Sequence, residues 1–231
     1  MNELVQKQSR PLRKTAGGSR RVVPSPSRTN DPERTKADIL QVALTEFADK
    51  GLSGARIDAI ADATRTSKRM IYYYFGSKEG LYLAVLEESY RRMRRIEGDL
   101  QIDNLSPEEA MRRFAEFTFD HHATHEQLIR IVMNENIERG RYLSQSSIIA
   151  ELNLPAIEAI DRIYRRGVAS GEFRPGLDPV DIHASISALA FFNVSNQYSF
   201  GCIFKRDLKS PAQRTLRRAS IAEMVVRFVR R

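Results

Sequence analysis

Four times beyond residue 30 a short polar side chain stands directly before a proline: Asp31-Pro32, Ser106-Pro107, Asp178-Pro179 and Ser210-Pro211. That repeated pair constrains the fold more than any other feature. A Ser or Asp at a helix N-cap accepts from an orphan backbone N–H, and a proline in the first turn has no N–H to lose. Ser106 with Glu109 and Ser210 with Gln213 add the three-residue spacing of a capping box. Ser77 before Lys78 and Glu79 is a weaker fifth start. Gly51, Gly140 and Gly171 follow periodic stretches, where a left-handed residue ends a helix. No run alternates with period two long enough to build a sheet. The expected fold class is all-α.

The apolar spacing places helices at about 32–50, 56–63, 67–75, 77–99, 107–122, 125–138, 153–170, 179–199 and 211–229. In the first, Ile39, Leu40, Ala43, Leu44 and Phe47 share one face, the core stripe of an amphipathic helix. Ile57, Ile60 and Ala61, then Met70, Ile71, Tyr74 and Phe75, mark two short helices behind it. The fourth carries Leu81, Val85 and Met93 inward and ends in Arg91, Arg92, Arg94 and Arg95, a basic end that suits the helix dipole.

Charge decides which partners are worth considering. The net +8 comes from 37 basic and 29 acidic residues. Residues 1–30 hold Lys7, Arg10, Arg13, Lys14, Arg20, Arg21 and Arg28 against Glu3 alone, a local +6 that leaves +2 for residues 31–231. With almost no apolar periodicity this stretch cannot offset its ordering entropy, so 1–30 reads as a disordered basic arm, either a solvated leader or a source of non-specific phosphate attraction. Apolar residues at 42% supply a real core for the remainder. One cysteine, Cys202, excludes an internal disulfide and points to a reducing compartment. No signal peptide or membrane span is read, which places the protein in the cytoplasm.

Two short helices after a longer support form the arrangement that offers the second short helix to a major groove. From Thr64 to Lys78 the chain carries Arg65, Lys68, Arg69 and Lys78 with Thr66, Ser67, Tyr72 and Tyr73, and no acidic residue. Arg and Lys take phosphates or guanine edges, and hydroxyls reach phosphates. The stretches 57–61 and 66–81, with Ala43, Phe47, Gly51 and the Phe-x-Ser-Lys junction at Phe75–Lys78, resemble the N-terminal domain of the TetR family of bacterial transcriptional regulators. The resemblance covers about residues 33–85. It implies a recognition helix at 67–73, phosphate contacts from Tyr72 and Lys78, and base or backbone contacts from Lys68, Arg69 and Tyr73. Tyr74 and Phe75 are then packing residues.

Two departures from the family pattern bear on geometry. Arg65 stands where a turn glycine is usual, with Thr66 after it in place of a Val or Ile, so a non-glycine residue is expected at positive φ. Ala55 and Arg56 replace the usual Thr or Ser at the second helix, and the phosphate contact passes to Arg56. The expected organisation is an arm at 1–30, a three-helix helix-turn-helix domain at 31–78, and a helical ligand-binding and dimerisation domain at 79–231.

In that last region Ile186, Ala188, Leu189, Ala190, Phe191, Phe192 and Val194, and Ile221, Ala222, Val225, Val226, Phe228 and Val229, make two helices apolar on more than one side. Such helices bury more than one side. The resemblance implies a homodimer formed by these last two helices. Arg130, Asn134 and Asn193 are the expected contacts for a small-molecule effector. The stretches 131–143 and 187–196 look like a subgroup of the family that controls catabolism of nitrogen heteroaromatics such as nicotinate and pyrimidines. The expected function is a dimeric repressor on double-stranded operator DNA, released by such an effector.

Competing readings are weaker. His121, His122 and His125 with Glu126 allow a metal sensor, but three surface histidines between two helices need no metal. An enzyme is not expected: Cys202 lacks a partnering His motif, and there is no P-loop or dinucleotide glycine pattern, hence no cofactor. A sequence-tolerant architectural DNA binder would leave the large apolar C-terminal region unexplained.

Overall fold

The computed structural model describes residues 31–231; the arm expected at 1–30 lies outside them. Ten α-helices run in order: α1 Pro32–Gly54, α2 Ile57–Thr64, α3 Lys68–Phe75, α4 Lys78–Gly98, α5 Pro107–Thr124, α6 Glu126–Ile137, α7 Ile149–Ser170, α8 Pro179–Ser195, α9 Gln197–Phe204 and α10 Pro211–Val229. Among the described residues the only β-type pairing is a single bridge between Phe173 and Arg230.

The caps expected at Ser77, Ser106, Asp178 and Ser210 form. Ser106 accepts from the Glu109 N–H while the Glu109 carboxylate accepts from the Ser106 N–H, completing a capping box. Ser77, Asp178 and Ser210 accept from the N–H groups of Gly80, Val180 and Gln213. Gly171 closes α7 in the left-handed conformation. At Gly51 (φ 66°, ψ 174°) α1 is kinked rather than ended, and one further turn leads to Gly54. Gly80 answers a different demand, since a Cβ there would lie 2.1 Å from the Phe75 carbonyl oxygen, so α4 approaches the end of α3 only with glycine in its first turn.

Two expectations about helix extent are corrected. The helix placed at 153–170 starts at Ile149, because Ser146 Oγ accepts from the N–H groups of Ile148 and Ile149, and Pro155 then sits inside it. The helix placed at 179–199 breaks at Asn196, whose ψ of 5° turns the chain from α8 into α9.

Two main clusters form the core. In the first, Ile39, Ala43 and Phe47 of α1 meet Ile57 and Ile60 of α2, Ile71 of α3, Leu81, Tyr82, Val85 and Leu86 of α4, and Leu128 and Ile131 of α6. Helix α6 thus packs in the same cluster as the helix-turn-helix. In the second, α5, α7, α8 and α10 interdigitate through Met111, Phe114, Ile160, Ile163, Ile182, Ile186, Val225 and Val229. Burial at about 25 cal/mol per Å² makes these faces the main stabilising term.

Candidate nucleic-acid interface and effector clefts

Helix α3 is held by one fully buried residue, Ile71, with Tyr74 and Phe75 packed half-buried against the first core cluster. These three inward positions turn 68, 69, 72 and 73 outward on the opposite face. Lys68, Arg69, Tyr72 and Tyr73 are exposed there, Tyr73 at 77%. At the helix start Ser67 Oγ accepts from the Met70 N–H at 3.2 Å, which leaves its O–H free to donate to an incoming oxygen.

The turn takes the conformation expected from the missing glycine. Arg65 lies in the left-handed region at φ 52°, ψ 36°, and its N–H donates to Ala61 O and Asp62 O. For a residue with a side chain this conformation costs about 1 kcal/mol. Thr66, half-buried, donates its N–H to Ala61 O. The turn therefore presents the exposed Arg65 side chain beside α3.

The cations on this face are not equally free. Lys68 is ion-paired with Asp58 on α2, and Arg56 lies 3.8 Å from the same carboxylate. Lys78 Nζ donates to Ser53 O at 3.3 Å, tying the first turn of α4 to the end of α1. Arg65 and Arg69 form no ion pair among the described residues. Asp58 was not singled out in the sequence. Its signal is the ten-residue interval to Lys68, which only the tight helix-turn-helix closes.

Behind this face, Arg130 and Asn134 of α6 reach the end of α1. Arg130 Nε donates to Ala48 O at 3.0 Å, Asn134 Nδ2 donates to Phe47 O at 3.2 Å, and Arg130 also lies 3.6 Å from Asp49. Both line an open cleft of about 510 Å³ with Glu126, Tyr82, Met133 and Tyr198. Asn193 does not join them. It is buried, donates to Leu189 O and accepts from Arg217 Nε, linking α8 to α10. The expected triad of effector contacts is therefore not assembled: α8 directs Asn193 toward α10 instead of the α6 cleft.

Two of the three histidines are also corrected, while His125 is exposed as expected. His121 and His122 lie on the buried face of α5, at 4% and 6% exposure, and are not surface residues. His121 stacks on His125 with ring centroids 4.1 Å apart and planes 17° from parallel, an arrangement that does not converge three nitrogens on a point. Among the described residues no group of three or more His, Cys, Asp or Glu could hold a metal. Burial, then the nearby His125, His122 and Arg94, lowers the His121 pKa to about 3, and burial followed by Arg94 lowers that of His122 to about 4. Both rings are neutral at pH 7. Neither His121 nitrogen has a protein partner, nor does His122 Nδ1. An unmet buried polar group costs about 1–3 kcal/mol.

The basic end of α4 is likewise divided in a way its sequence concealed. Arg91 and Arg92 pair with Glu88, Arg94 turns inward to a buried ion pair with Glu97, and Arg95 stays exposed. Arg92, Arg95, Ser89 and Ile96 of α4, with Gln41 and Leu44 of α1, His121 of α5, and Gln127 and Leu128 of α6, line a second cleft of about 360 Å³, with His125 at the α5–α6 junction.

This arrangement can be compared with known proteins. Residues 39–85 match the model of bacterial regulatory proteins of the tetR family, and residues 107–225 match the tetracyclin repressor-like C-terminal domain. The chain is 30% identical over 204 residues to the transcriptional repressor NicS of Pseudomonas putida, covering 88% of this chain and 96% of NicS. Over 53 residues it is 45% identical to the transcriptional regulator RutR of Escherichia coli, a match to 23% of this chain and 25% of RutR. A crystal structure of the transcriptional regulator SCO4942 from Streptomyces coelicolor superposes with a TM-score of 0.62 at 28% identity, covering 84% of this chain and 98% of that one. No helix among the described residues is long and apolar enough to cross a membrane. With a helix-turn-helix whose third helix turns its basic and hydroxylated side chains outward, and with both halves matched, the chain belongs to the tetR family of bacterial regulatory proteins and is a DNA-binding transcriptional regulator, not an enzyme.

Proposed function

We propose that the protein is a homodimeric repressor that binds an inverted-repeat operator through α3 and leaves it when a small nitrogen heteroaromatic binds the body. The observation that carries the DNA half is the outward face of α3 and its turn. Arg65, Ser67, Lys68, Arg69, Tyr72 and Tyr73 are offered together with no acidic residue between Thr64 and Lys78. Phosphate contacts fall to Ser67, Tyr72, Lys78 and Arg56; Lys68, Arg69 and Tyr73 are placed for base edges or backbone.

Two apolar stripes support the dimer. On α8, Val180, Ala184, Ala188 and Phe192 are exposed at four-residue spacing; on α10, Leu216, Met224 and Phe228 are exposed in the same register, with Ser220 between the first two. Small alanines between larger residues let a second helix approach closely, and an exposed apolar surface of this kind marks an interaction site. Two copies related by a two-fold axis would present two α3 helices to inverted half-sites. The effector class is supported by the resemblance of residues 131–143 and 187–196 to regulators of heteroaromatic catabolism, and the repressor direction by the repressors among its relatives.

Protection mapping of the full-length protein on its own upstream region tests the reading. A short protected inverted repeat that survives excess bulk DNA is expected. Uniform coverage lost at moderate salt would replace the regulator with a sequence-tolerant binder.

A further inference from the structure

The two clefts of the body differ in charge. The larger contains Asp49, Glu126 and Glu138 beside Lys50 and Arg130. The smaller is lined by Arg92, Arg95, His121, His125, Gln41, Ser89 and Gln127 with Leu44, Ile96 and Leu128, and none of these lining residues is acidic. We propose that this second cleft, between α1, α4, α5 and α6, is the effector site, and that it takes a compact single-ring carboxylate whose charge is met by Arg95, Arg92 and the His121 ring. The inference rests on the effector-responsive reading above and gives it a site and a ligand charge.

Three observations converge. First, His121 is 96% buried yet neither nitrogen has a protein partner, and the ring borders the cleft. A neutral imidazole there offers one N–H and one lone pair, so it can donate to a carboxylate and accept from a hydroxyl. Second, Arg95 forms no ion pair among the described residues, whereas Arg91, Arg92 and Arg94 on the same turns all do. A guanidinium kept without a carboxylate at the mouth of a cleft is suited to a bidentate anion. Third, about 360 Å³ lies near the lower end of small-molecule sites, room for one ring with substituents. Leu44, Leu128 and Ile96 provide its apolar wall.

The location also supplies a route to the DNA. Arg92 donates to Gln41 on α1 as well as to Glu88. A carboxylate bound to Arg92 competes with Gln41 and weakens this α4–α1 tie. Helix α1 supports the helix-turn-helix and α4 follows α3 directly. Ligand preference for the conformation with that tie released is the differential affinity that shifts the regulator off its operator.

The test is calorimetry on the full chain with benzoate and nicotinate, each against its neutral amide, for wild type and for Arg95→Gln, His121→Phe and Arg130→Gln. Urea midpoints verify that each variant folds, and operator affinity is measured in parallel. Wild type should bind an acid at least tenfold more tightly than its amide. Arg95→Gln, at an exposed position, should erase that preference; His121→Phe should weaken the acid at least tenfold, while Arg130→Gln leaves it unchanged. Acid and amide binding alike, loss with Arg130→Gln but not with Arg95→Gln, or no binding of either acid overturns the proposal. Specific operator binding in the same samples leaves the regulator reading intact in each of those cases; its absence removes that reading independently of where an acid binds.

Discussion

Arg130 of α6 donates from Nε to the main-chain oxygen of Ala48 on α1, 3.0 Å away and 82 positions back in the sequence. With Asn134 on Phe47 O, it supplies donors to the end of α1 near the Gly51 kink, where the helical ladder cannot continue regularly. Arg130→Met keeps much of the side-chain stem and removes these donors. A stability loss of about 1 kcal/mol is expected, because a half-exposed hydrogen bond from a charged group is worth roughly that much. Effector binding should stay unchanged, because Arg130 does not line the smaller cleft. Urea unfolding and operator titration with and without effector check both.

Arg65 provides a backbone test. Arg65→Gly removes the left-handed penalty but adds unfolded-state entropy, so stability should change by less than about 1 kcal/mol. Arg65→Val, β-branched at φ 52°, should destabilise by more than the glycine variant does. Thermal melts of the two variants distinguish this; equal melting temperatures would contradict the turn geometry.

On the reading face, Arg69→Ala and Lys68→Ala should each lower operator affinity, by ~1–3 kcal/mol where the contact is bidentate to a base. Tyr72→Phe should weaken operator and non-operator DNA alike. Asp58→Asn, which removes the partner of Lys68, should raise affinity for all DNA. Fluorescence anisotropy at fixed salt reads each effect, and unchanged affinity for both basic variants would move the recognition helix elsewhere.

Acid should destabilise the body before it titrates ordinary surface carboxylates. His121 and His122 have folded pKa values of about 3 and 4, below the unfolded value near 6.5, so the unfolded chain binds more protons between those limits. Stability is fully present above pH 6.5 and falls as pH drops, by up to about 1.4 kcal/mol per pH unit for each ring. His183, lowered by burial and then Arg94, adds to the loss; Glu97, raised by burial against the pull of Arg94, opposes it. Urea midpoints at pH 7, 6 and 5 should therefore decline. His122→Gln should flatten the slope.

Phe192→Glu combined with Leu216→Glu places charges on both exposed stripes of α8 and α10. Sedimentation should show monomers that keep their helical circular dichroism and lose operator affinity. A dimer that persists would locate the interface elsewhere.

The helix-turn-helix was legible because its signals are local. The cap at Ser77, the anchors Ile71 and Phe47, and the left-handed Arg65 each depend on a few neighbouring residues. The body was less legible. Four consecutive-looking arginines at the end of α4 read as one basic patch, yet packing sends Arg94 inward to Glu97 and leaves Arg95 outside. His121 and His122 read as surface residues because nothing in their own sequence says which face α5 buries. Asn193 read as a ligand contact until α10 supplied Arg217 as its partner.

The Lys68–Asp58 pair changes what a salt titration can count. A cation that meets phosphate from bulk water lets condensed ions leave the DNA, and log affinity then falls with log salt by about 0.9 per neutralised phosphate. Lys68 begins instead with a counter-charge built into its own protein, and the same carboxylate faces Arg56. Moving that lysine to a phosphate leaves Asp58 to gather a mobile cation, which takes back part of the ion release. The slope measured for this regulator should therefore undercount the phosphates its face touches.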